Sequence, residues 1–220
     1  MSKVKISRKS TRIDMTAMCD VAFLLLSFFV MTATAKQPEP KAVDAPASTV
    51  QDKLPEDGVG VITVGDDEVY FTIPRDLREA TFKRVAQEKG MKITDKEVEA
   101  FVRTDGFGMP LNKIQGWLAL PMADRTKEGV QEGIPYKDSL DDQLSVWVKQ
   151  AREANREVYG AKYDAGEIDA KEFGQKGDLA IAIKADAKES YPTVKRVIDI
   201  LQKQKKNKFF LVTGLRNKDF

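Results

Sequence analysis

One stretch near the N-terminus constrains this chain more than any other part of its 220 residues. Residues 15–35 form a run of 21 residues in which Asp20 is the only charged side chain. As an α-helix this run would be about 31 Å long, which matches the roughly 30 Å hydrocarbon core of a bilayer. The sequence therefore predicts a transmembrane helix over residues 14–35, preceded by a basic tail at residues 1–13.

Two other interpretations of this stretch are open. Residues 1–35 have the features of a cleaved signal peptide, since Ala33-Thr34-Ala35 after an apolar run is a small-residue cleavage pattern. The mature chain would then be a secreted or periplasmic binding module. A buried helix of a soluble core fits less well, because no polar face alternates with the apolar one. The anchor is favoured because an aspartate in the middle of the helix costs about 3 kcal/mol on membrane insertion. Such a costly residue is not expected in a segment that is cleaved off.

The basic residues predict the orientation of the helix. The first 13 residues contain no acidic side chain and five basic ones: Lys3, Lys5, Arg8, Lys9 and Arg12. Only Lys36 and Lys41 follow the apolar run closely. Because positive charge is retained in the cytoplasm, we expect residues 1–13 there and everything beyond residue 35 on the far side, which is the periplasm in a bacterium.

Composition excludes several kinds of chemistry. The absence of histidine removes histidine-based acid–base catalysis and the commonest zinc sites, and the single cysteine, Cys19, allows no intrachain disulfide. A net charge of +2 gives no basic excess for nucleic acid. The acidic pairs are expected in a turn (Asp66 and Asp67) and at a helix start (Asp141 and Asp142). We therefore predict no catalytic residue, no cofactor and no metal site.

Asp20 shares one face of the predicted helix with hydroxyl side chains. At about 100° per residue, three of them lie within about 40° of it: Thr16, Ser27 and Thr34. Hydroxyl groups can bond to carbonyl groups of their own helix, whereas the aspartate lacks that route. A carboxyl group can carry protons across a membrane if it binds them on one side and releases them on the other. A single helix cannot form the whole proton path, so other helices would have to supply its walls. Asp20 is therefore predicted to carry protons, with the three hydroxyl residues lining the path; a role in assembly alone is the alternative.

Residues 13–26, with the sequence IDMTAMCDVAFLLL, resemble the N-terminal signature of the ExbD/TolR family. The family usually has proline where this chain has Ala17, and its proton-bearing membrane aspartate falls on Asp20. Residues 183–186 and 211–214 are similar to the end of the family's periplasmic domain.

This resemblance implies a function and a set of partners. Members of the family are inner-membrane subunits that use the proton-motive force to energise processes at the outer membrane. For this chain the resemblance implies a polytopic channel partner similar to ExbB, expected as a pentamer, a periplasmic partner similar to TonB, and a homodimer. A TolR-like role in the integrity of the cell envelope is the alternative within the family.

Composition divides the remaining chain into a linker and a domain. Residues 36–58 contain four prolines among charged and small residues, which predicts a disordered periplasmic linker. Residues 59–220 are predicted to form an ExbD/TolR-like α+β domain, with a mixed sheet, two packed helices and a helical insertion at residues 74–138. Two β-rich runs around Gly65-Asp66-Asp67 predict a hairpin.

Helix signals follow the hairpin. Residues 75–89 are predicted as a helix that ends at Gly90, and Thr94 with Glu97 predicts a capping box for a second helix. Asn112 is expected to cap a short helix, after which residues 121–138 are expected to be a loop.

The C-terminal half is predicted to contain two further helices and two strands. Ser139 is expected to open the first helix, and residues 157–177 are expected to be a loop or a second insertion. A strand at 179–185, a helix from Pro192 and a strand at 209–213 predict a parallel strand–helix–strand unit. The intervening lysines are expected to form a solvated basic patch: Lys203, Lys205, Lys206 and Lys208.

We expect the mature protein to keep its first 35 residues, because the apolar run is an anchor and not a leader. Intact mass and N-terminal sequencing of protein purified from membranes measure this directly. A chain that begins at Lys36 would contradict the anchor and support the signal peptide.

Overall fold

The computed structural model of the chain describes residues 15–32, 39–48, 54–55, 58–127, 129–138 and 141–215. The chain divides into an N-terminal unit, residues 1–37, and a larger unit, residues 38–220. The first unit contains one apolar helix, and the second is an α+β domain with a mixed sheet and packed helices, as the sequence predicts.

Helix α1 spans Met15–Thr32 and has 18 residues, none of them buried. Its large apolar side chains are exposed; Phe23 and Leu24, for example, are 70% and 64% exposed. Within the described residues it is the one helix with the length and apolar composition to cross a membrane. The predicted span of residues 14–35 thus contains a helix over 15–32, while its two ends lie outside the described residues.

The domain contains strands that form two sheets. Its strands in the described residues are β1 (Ala47–Ser48), β2 (Val59–Gly65), β3 (Glu68–Thr72), β4 (Gly106–Phe107), β5 (Ala180–Ala185), β6 (Phe210–Leu211) and β7 (Gly214–Leu215). Five strands make the main sheet in the order β4–β3–β2–β5–β6, and β1 pairs with β7 in a separate two-stranded sheet.

The predicted hairpin and the predicted parallel unit are both confirmed. Strands β2 and β3 are antiparallel, with Val64 opposite Val69. Asp66 and Asp67 in the turn have φ values of 52° and 62°, the left-handed pair typical of a type I′ turn, whose twist matches that of the strands. Strand β5 is parallel to both β2 and β6, so the sheet is mixed.

Seven helices of the domain lie in the described residues: α2 (Arg75–Glu88), α3 (Asp95–Val102), α4 (Ile114–Leu118), α5 (Met122–Arg125), α6 (Gln143–Asp164), α7 (Ala170–Lys176) and α8 (Tyr191–Lys203). The predicted stop of α2 is confirmed, since Gly90 has a φ of 64° and the Met91 N–H donates to the Ala86 carbonyl at 2.8 Å. The predicted capping box of α3 is confirmed as well, with both hydrogen bonds between Thr94 and Glu97 present.

Four local predictions were wrong. Residues 121–138 were expected to be a loop, but α5 lies within them at Met122–Arg125. Residues 157–177 are mostly helical, because α6 continues to Asp164 and α7 follows it. Asn112 does not cap α4, which begins after Lys113 without a side-chain cap. The N-cap of α6 is Asp142, whose carboxylate accepts the Ser145 N–H at 3.0 Å; Ser139, the predicted start, lies outside the described residues.

The segment 74–138 supplies a large share of the hydrophobic core. Phe82 of α2 and Phe101 of α3 stack with ring centroids 4.5 Å apart, and Phe101 stacks on Trp147 of α6 at 5.6 Å. Phe107 of β4 meets Trp147 edge-on at 4.6 Å. All four rings are at most 2% exposed. The segment therefore cannot be removed without opening the core, although its status as an insertion relative to other family members stays a prediction.

Buried arginines tie this segment to its surroundings. The Arg125 guanidinium donates at 2.7–3.0 Å to three carbonyls: Leu118 at the end of α4, Leu120 just after it, and Ala100 near the end of α3. Burial lowers the pKa of Arg125, and the carbonyl groups at helix ends compensate because they carry partial negative charge. Arg78 similarly joins α2 to the carbonyls of Ile73 and Val102, both at 2.9 Å.

Residues 39–48, here called the strap, differ from the predicted disordered linker. They lie against the domain, and within them the N–H of Asp44 donates to a carboxylate oxygen of Asp186 at 3.1 Å. Ala47 and Ser48 form β1, which pairs in parallel with β7. Asp186 and β7 lie more than a hundred residues further along the chain, so the composition of the strap gives no sign of these contacts.

Truncating the centre of the aromatic stack should destabilise the whole domain. We expect Phe101→Ala to lower the free energy of unfolding by about 3–5 kcal/mol, because the ring is fully buried between two others. Urea unfolding followed by tryptophan fluorescence measures the change. Leu120→Ala, at a 39% exposed leucine of the same segment, is the matched control and should change it by no more than about 0.5 kcal/mol. Equal effects of the two variants would contradict the packing described here.

Candidate functional site in the membrane helix

Helix α1 places Asp20 and two of the predicted hydroxyl residues on one face. Asp20 lies five residues after the first helical residue, Met15, or about 7.5 Å along the axis. Thr16 and Ser27 lie within about 40° of it around the helix. Thr34, the fourth predicted member of the stripe, lies outside the described residues.

Two hydroxyl groups of α1 bond to carbonyl groups of the helix itself. Ser27 Oγ donates to the Leu24 carbonyl at 2.9 Å, and Thr32 Oγ1 donates to the Phe28 carbonyl at 2.8 Å. Such bonds satisfy a serine or threonine in an apolar setting without help from another chain. Ser27 therefore has no need of a polar partner outside its own helix.

Asp20 is in a different position. No hydrogen-bond or ion-pair partner of its carboxylate lies in the described part of the chain, and the residue is exposed. A carboxylate within hydrocarbon costs about 2.5–3.5 kcal/mol even on the lenient insertion scale, and more on an isolated helix. Its environment must therefore come from water or from polar groups of other helices.

A second cluster of charged groups surrounds the turn between β2 and β3. Asp67 forms an ion pair with Lys137, and its carboxylate accepts hydrogen bonds from Tyr136 at 3.0 Å and from Thr193 at 3.1 Å. Its backbone N–H donates to Glu189 at 3.0 Å. The turn thus joins the end of the 74–138 segment to the start of α8. The sequence predicts Asp67 in a turn but gives no sign of these partners, which lie 69 to 126 residues away.

The ionic state of Asp67 follows from these contacts. The hydrogen bond from Lys137 is the main reason why the pKa of Asp67 is lowered, and the hydroxyl groups of Tyr136 and Thr193 add to the effect. Conversely, burial and the nearby carboxylate raise the pKa of Tyr136. The cluster borders a cleft of about 340 Å³. Because Asp67 already has a cationic partner within the chain, the cluster is suited to holding the domain together.

The lysine-rich end of α8 is less solvated than predicted. Lys206 is only 6% exposed, and its ammonium group lies 2.6 Å from the Asp178 carboxylate. Arg152 of α6 pairs with the same carboxylate at 3.2 Å. Desolvation opposes the ionisation of Asp178, but the Lys206 hydrogen bond and the two positive charges outweigh it, so the pKa of Asp178 is lowered. This part of the predicted patch is a structural contact.

One apolar helix long enough to cross a membrane, followed in the chain by an α+β domain, is the arrangement of a single-pass membrane protein. The family model for the biopolymer transport protein ExbD/TolR matches residues 7–215, nearly the whole chain. The chain therefore belongs to the ExbD/TolR family, as its resemblance to that family suggested. Comparison with curated proteins and with solved structures gave no significant match. The family is transport-associated and non-enzymatic, and its members usually work in membrane complexes with partner proteins.

The Asp67 cluster should make stability depend on pH. Because its pKa is lowered in the folded state, Asp67 stabilises the fold above about pH 4, and this contribution is lost as the pH falls through the folded-state pKa. We expect Asp67→Asn to lower the free energy of unfolding by about 0.5–1 kcal/mol at pH 7. The difference should shrink as the pH falls from 5 to 3, measured by urea unfolding at each pH.

Asparagine is a suitable replacement because it tolerates the left-handed backbone of the turn. A difference between the variant and the natural chain that stays constant from pH 7 to pH 3 would show that the effect is not ionic.

Proposed function

We propose that this chain is a single-pass inner-membrane subunit of a proton-motive-force-driven energy-transduction complex of the TonB–ExbB–ExbD type. In this proposal Asp20 takes up and releases protons, and the resulting motion of α1 is passed to the domain in the periplasm. The work done there supports transport across the outer membrane. Membership of a family of biopolymer transport proteins is the starting point for this proposal.

The observation that carries the proposal is the contrast within α1. Ser27 is satisfied by its own helix, whereas the Asp20 carboxylate has no partner in the described part of the chain. Because a carboxylate in hydrocarbon is energetically costly, an ionisable residue within a membrane helix indicates that its charge or its proton has a function. Each proton that crosses the membrane releases about 2.3 kcal/mol per 100 mV of potential, which is enough to bias a conformational change.

A partner is required on physical grounds. A single membrane helix cannot enclose a path for protons, because its side chains face lipid wherever no other helix covers them. The walls of a proton path around Asp20 must therefore come from other chains. We propose a polytopic ExbB-like channel subunit, arranged as a pentamer, around a homodimer of this chain. A TonB-like protein is the proposed recipient of the motion in the periplasm.

The orientation in this proposal follows from the basic N-terminus. Five basic side chains precede α1 and no acidic residue lies among the first 13 residues. Under the positive-inside rule the N-terminus stays in the cytoplasm and the domain faces the periplasm. The domain is then placed between the two membranes, where it can meet partners that reach the outer membrane.

Replacing Asp20 tests the proposal. Asparagine has nearly the same shape and still forms hydrogen bonds, but it cannot ionise. We expect Asp20→Asn to copurify with the same polytopic membrane protein as the natural chain, while proton-driven uptake across the outer membrane falls to the level of cells without the chain. Uptake is measured in cells that depend on this chain, and assembly by affinity purification from their membranes.

Two matched variants separate charge from shape. Asp20→Glu keeps an ionisable group and should retain part of the activity, and Ser27→Ala should retain nearly all of it because the Ser27 hydroxyl serves only its own helix. Full activity of Asp20→Asn would exclude a proton-carrying role. Loss of copurification in Asp20→Asn would instead support a role for Asp20 in assembly.

A further inference from the structure

A run of five apolar residues lies on the surface of the domain. Residues 119–123, here called the apolar bend, have the sequence Ala-Leu-Pro-Met-Ala and run from the end of α4 into the start of α5. All five of them are exposed to solvent. Single exposed apolar side chains are common on proteins, but a contiguous group of them is typical of a surface that another body covers.

A cleft of about 240 Å³, here called the cationic cleft, borders the apolar bend. Leu120, Pro121 and Met122 are among its lining residues. Its charged lining residues are three cations and one anion: Lys96, Arg103, Arg125 and Glu99. Glu99 is already paired with Arg103 at 2.5 Å, and no described residue forms an ion pair with either of the other two cations. The cleft therefore has an excess of positive charge beside an apolar surface.

Arg125 is the buried cation of this cleft. It is 8% exposed, and its acceptors in the described residues are uncharged: three carbonyl oxygens and, at 3.4 Å, the Thr104 hydroxyl. By contrast, the buried Arg78 guanidinium lies 2.7 Å from the Asp105 carboxylate. Carbonyl dipoles stabilise the charge of Arg125 but do not neutralise it, so an anion in the cleft would be attracted to it.

The cationic cleft is close to the point where the chain from α1 meets the domain. A Cβ atom at Gly106 would lie 2.8 Å from Cγ of Pro40, so the strap begins against Gly106. Arg103 comes three residues before Gly106, which limits the distance between their Cα atoms to about 11 Å. Seven steps along the chain separate Thr32 from Glu39, which limits that distance to about 25 Å. Lipid headgroups are therefore within reach of this part of the domain.

We propose that the apolar bend and the cationic cleft dock the domain on the bilayer surface and bind an anionic phospholipid there. In this arrangement Leu120 and Met122 enter the headgroup region, and the cleft holds the lipid phosphate near Lys96 and Arg103. A lipid fits better than an acidic protein segment, because apolar and cationic side chains together match charged headgroups that lie over hydrocarbon. This inference goes beyond the proposed function, since it needs α1 as an anchor but does not need Asp20 to carry protons.

A fluorescent probe on the apolar bend tests the docking. Met122→Cys in a Cys19→Ser background is labelled with an environment-sensitive dye. The full chain is then reconstituted in nanodiscs of phosphatidylcholine, with or without an equal part of phosphatidylglycerol. We expect the dye to be at least about twofold brighter in the anionic nanodiscs and to be quenched by lipids spin-labelled near the headgroup, because it then lies in the interface.

The same dye at an exposed position outside the cleft is the control for this probe. Tyr191→Cys in α8 provides that position, and its emission should be the same in both kinds of nanodisc. Absence of a response from the Met122→Cys probe, or an equal response from both probes, would overturn the proposal.

Charge and apolar contact are tested separately with the same probe. Lys96→Gln with Arg103→Gln should reduce the response to phosphatidylglycerol by at least about half, because each basic side chain near an anionic surface adds to the attraction. Lys188→Gln with Lys195→Gln removes two exposed charges outside the cleft and should leave the response unchanged. Leu120→Ser should also reduce it by about half or more, without a change in the urea midpoint, because Leu120 is exposed. Equal effects of the two glutamine pairs would show that only net charge matters and would overturn the cleft as the binding site.

Two further measurements identify the ligand. Inorganic phosphate added to phosphatidylcholine nanodiscs should leave the emission unchanged, and a full response to it would make the ligand a soluble anion and overturn the docking. A response that appears only when a polytopic partner is reconstituted with the chain would assign the surface to a protein and would also overturn it. Asp20→Asn should respond like the natural chain, so a failure of the proton-carrying role can be told apart from a failure of the docking.

Discussion

A stack of aromatic rings holds together parts of the domain that are far apart in the sequence. Phe82, Phe101 and Trp147 come from three helices and are stacked without exposure to solvent, so these helices cannot shift independently. Phe107 connects the stack to the sheet. Large buried rings contribute more apolar surface than any other side chains and fix their neighbours by shape. The rings therefore fix the positions of three helices relative to one another and to the sheet.

Buried charged side chains of the domain have polar partners, whereas the one charged side chain of α1 has none among the described residues. In the domain, the buried guanidinium groups of Arg78 and Arg125 are surrounded by carbonyl oxygens, and buried Lys206 has its carboxylate partner. In α1, Asp20 has no partner in the described residues. Because an unpaired charge is costly in protein and in lipid alike, these buried charges are satisfied within the domain, whereas Asp20 in a membrane would need water or polar groups of other chains. This difference agrees with a family whose members usually work in membrane complexes.

Sequence alone predicted the features that neighbouring residues determine. Thr94 with Glu97, Gly90, and the Asp66-Asp67 turn each act within a few residues, and the structure confirms all three. Residues 157–177 were mistaken for a loop because their many Gly, Asp and Lys residues hide contacts made between residues ten or more positions apart. The Asn155 amide donates to the Lys176 carbonyl at 2.7 Å, and Tyr163 stacks on Phe173 at 5.3 Å. Asp20 could be singled out from the sequence because it is a charged residue within an apolar run. The partners of Asp67 and of the strap could not be predicted, because only the folded chain brings them together.

The central pairing of the sheet determines when the protein can fold. Strand β2 lies between β3 and β5, and its parallel register joins Val59 to Ala180, so about 120 residues must be made before the second neighbour exists. Contacts of such wide separation slow folding, and until they form the apolar side of a half-built sheet is open to other chains. A nascent chain already threaded into a membrane by its first helix would wait in this state beside the bilayer. The centre of the sheet therefore cannot form before β5 has been made, and the half-built sheet stays exposed at least until then.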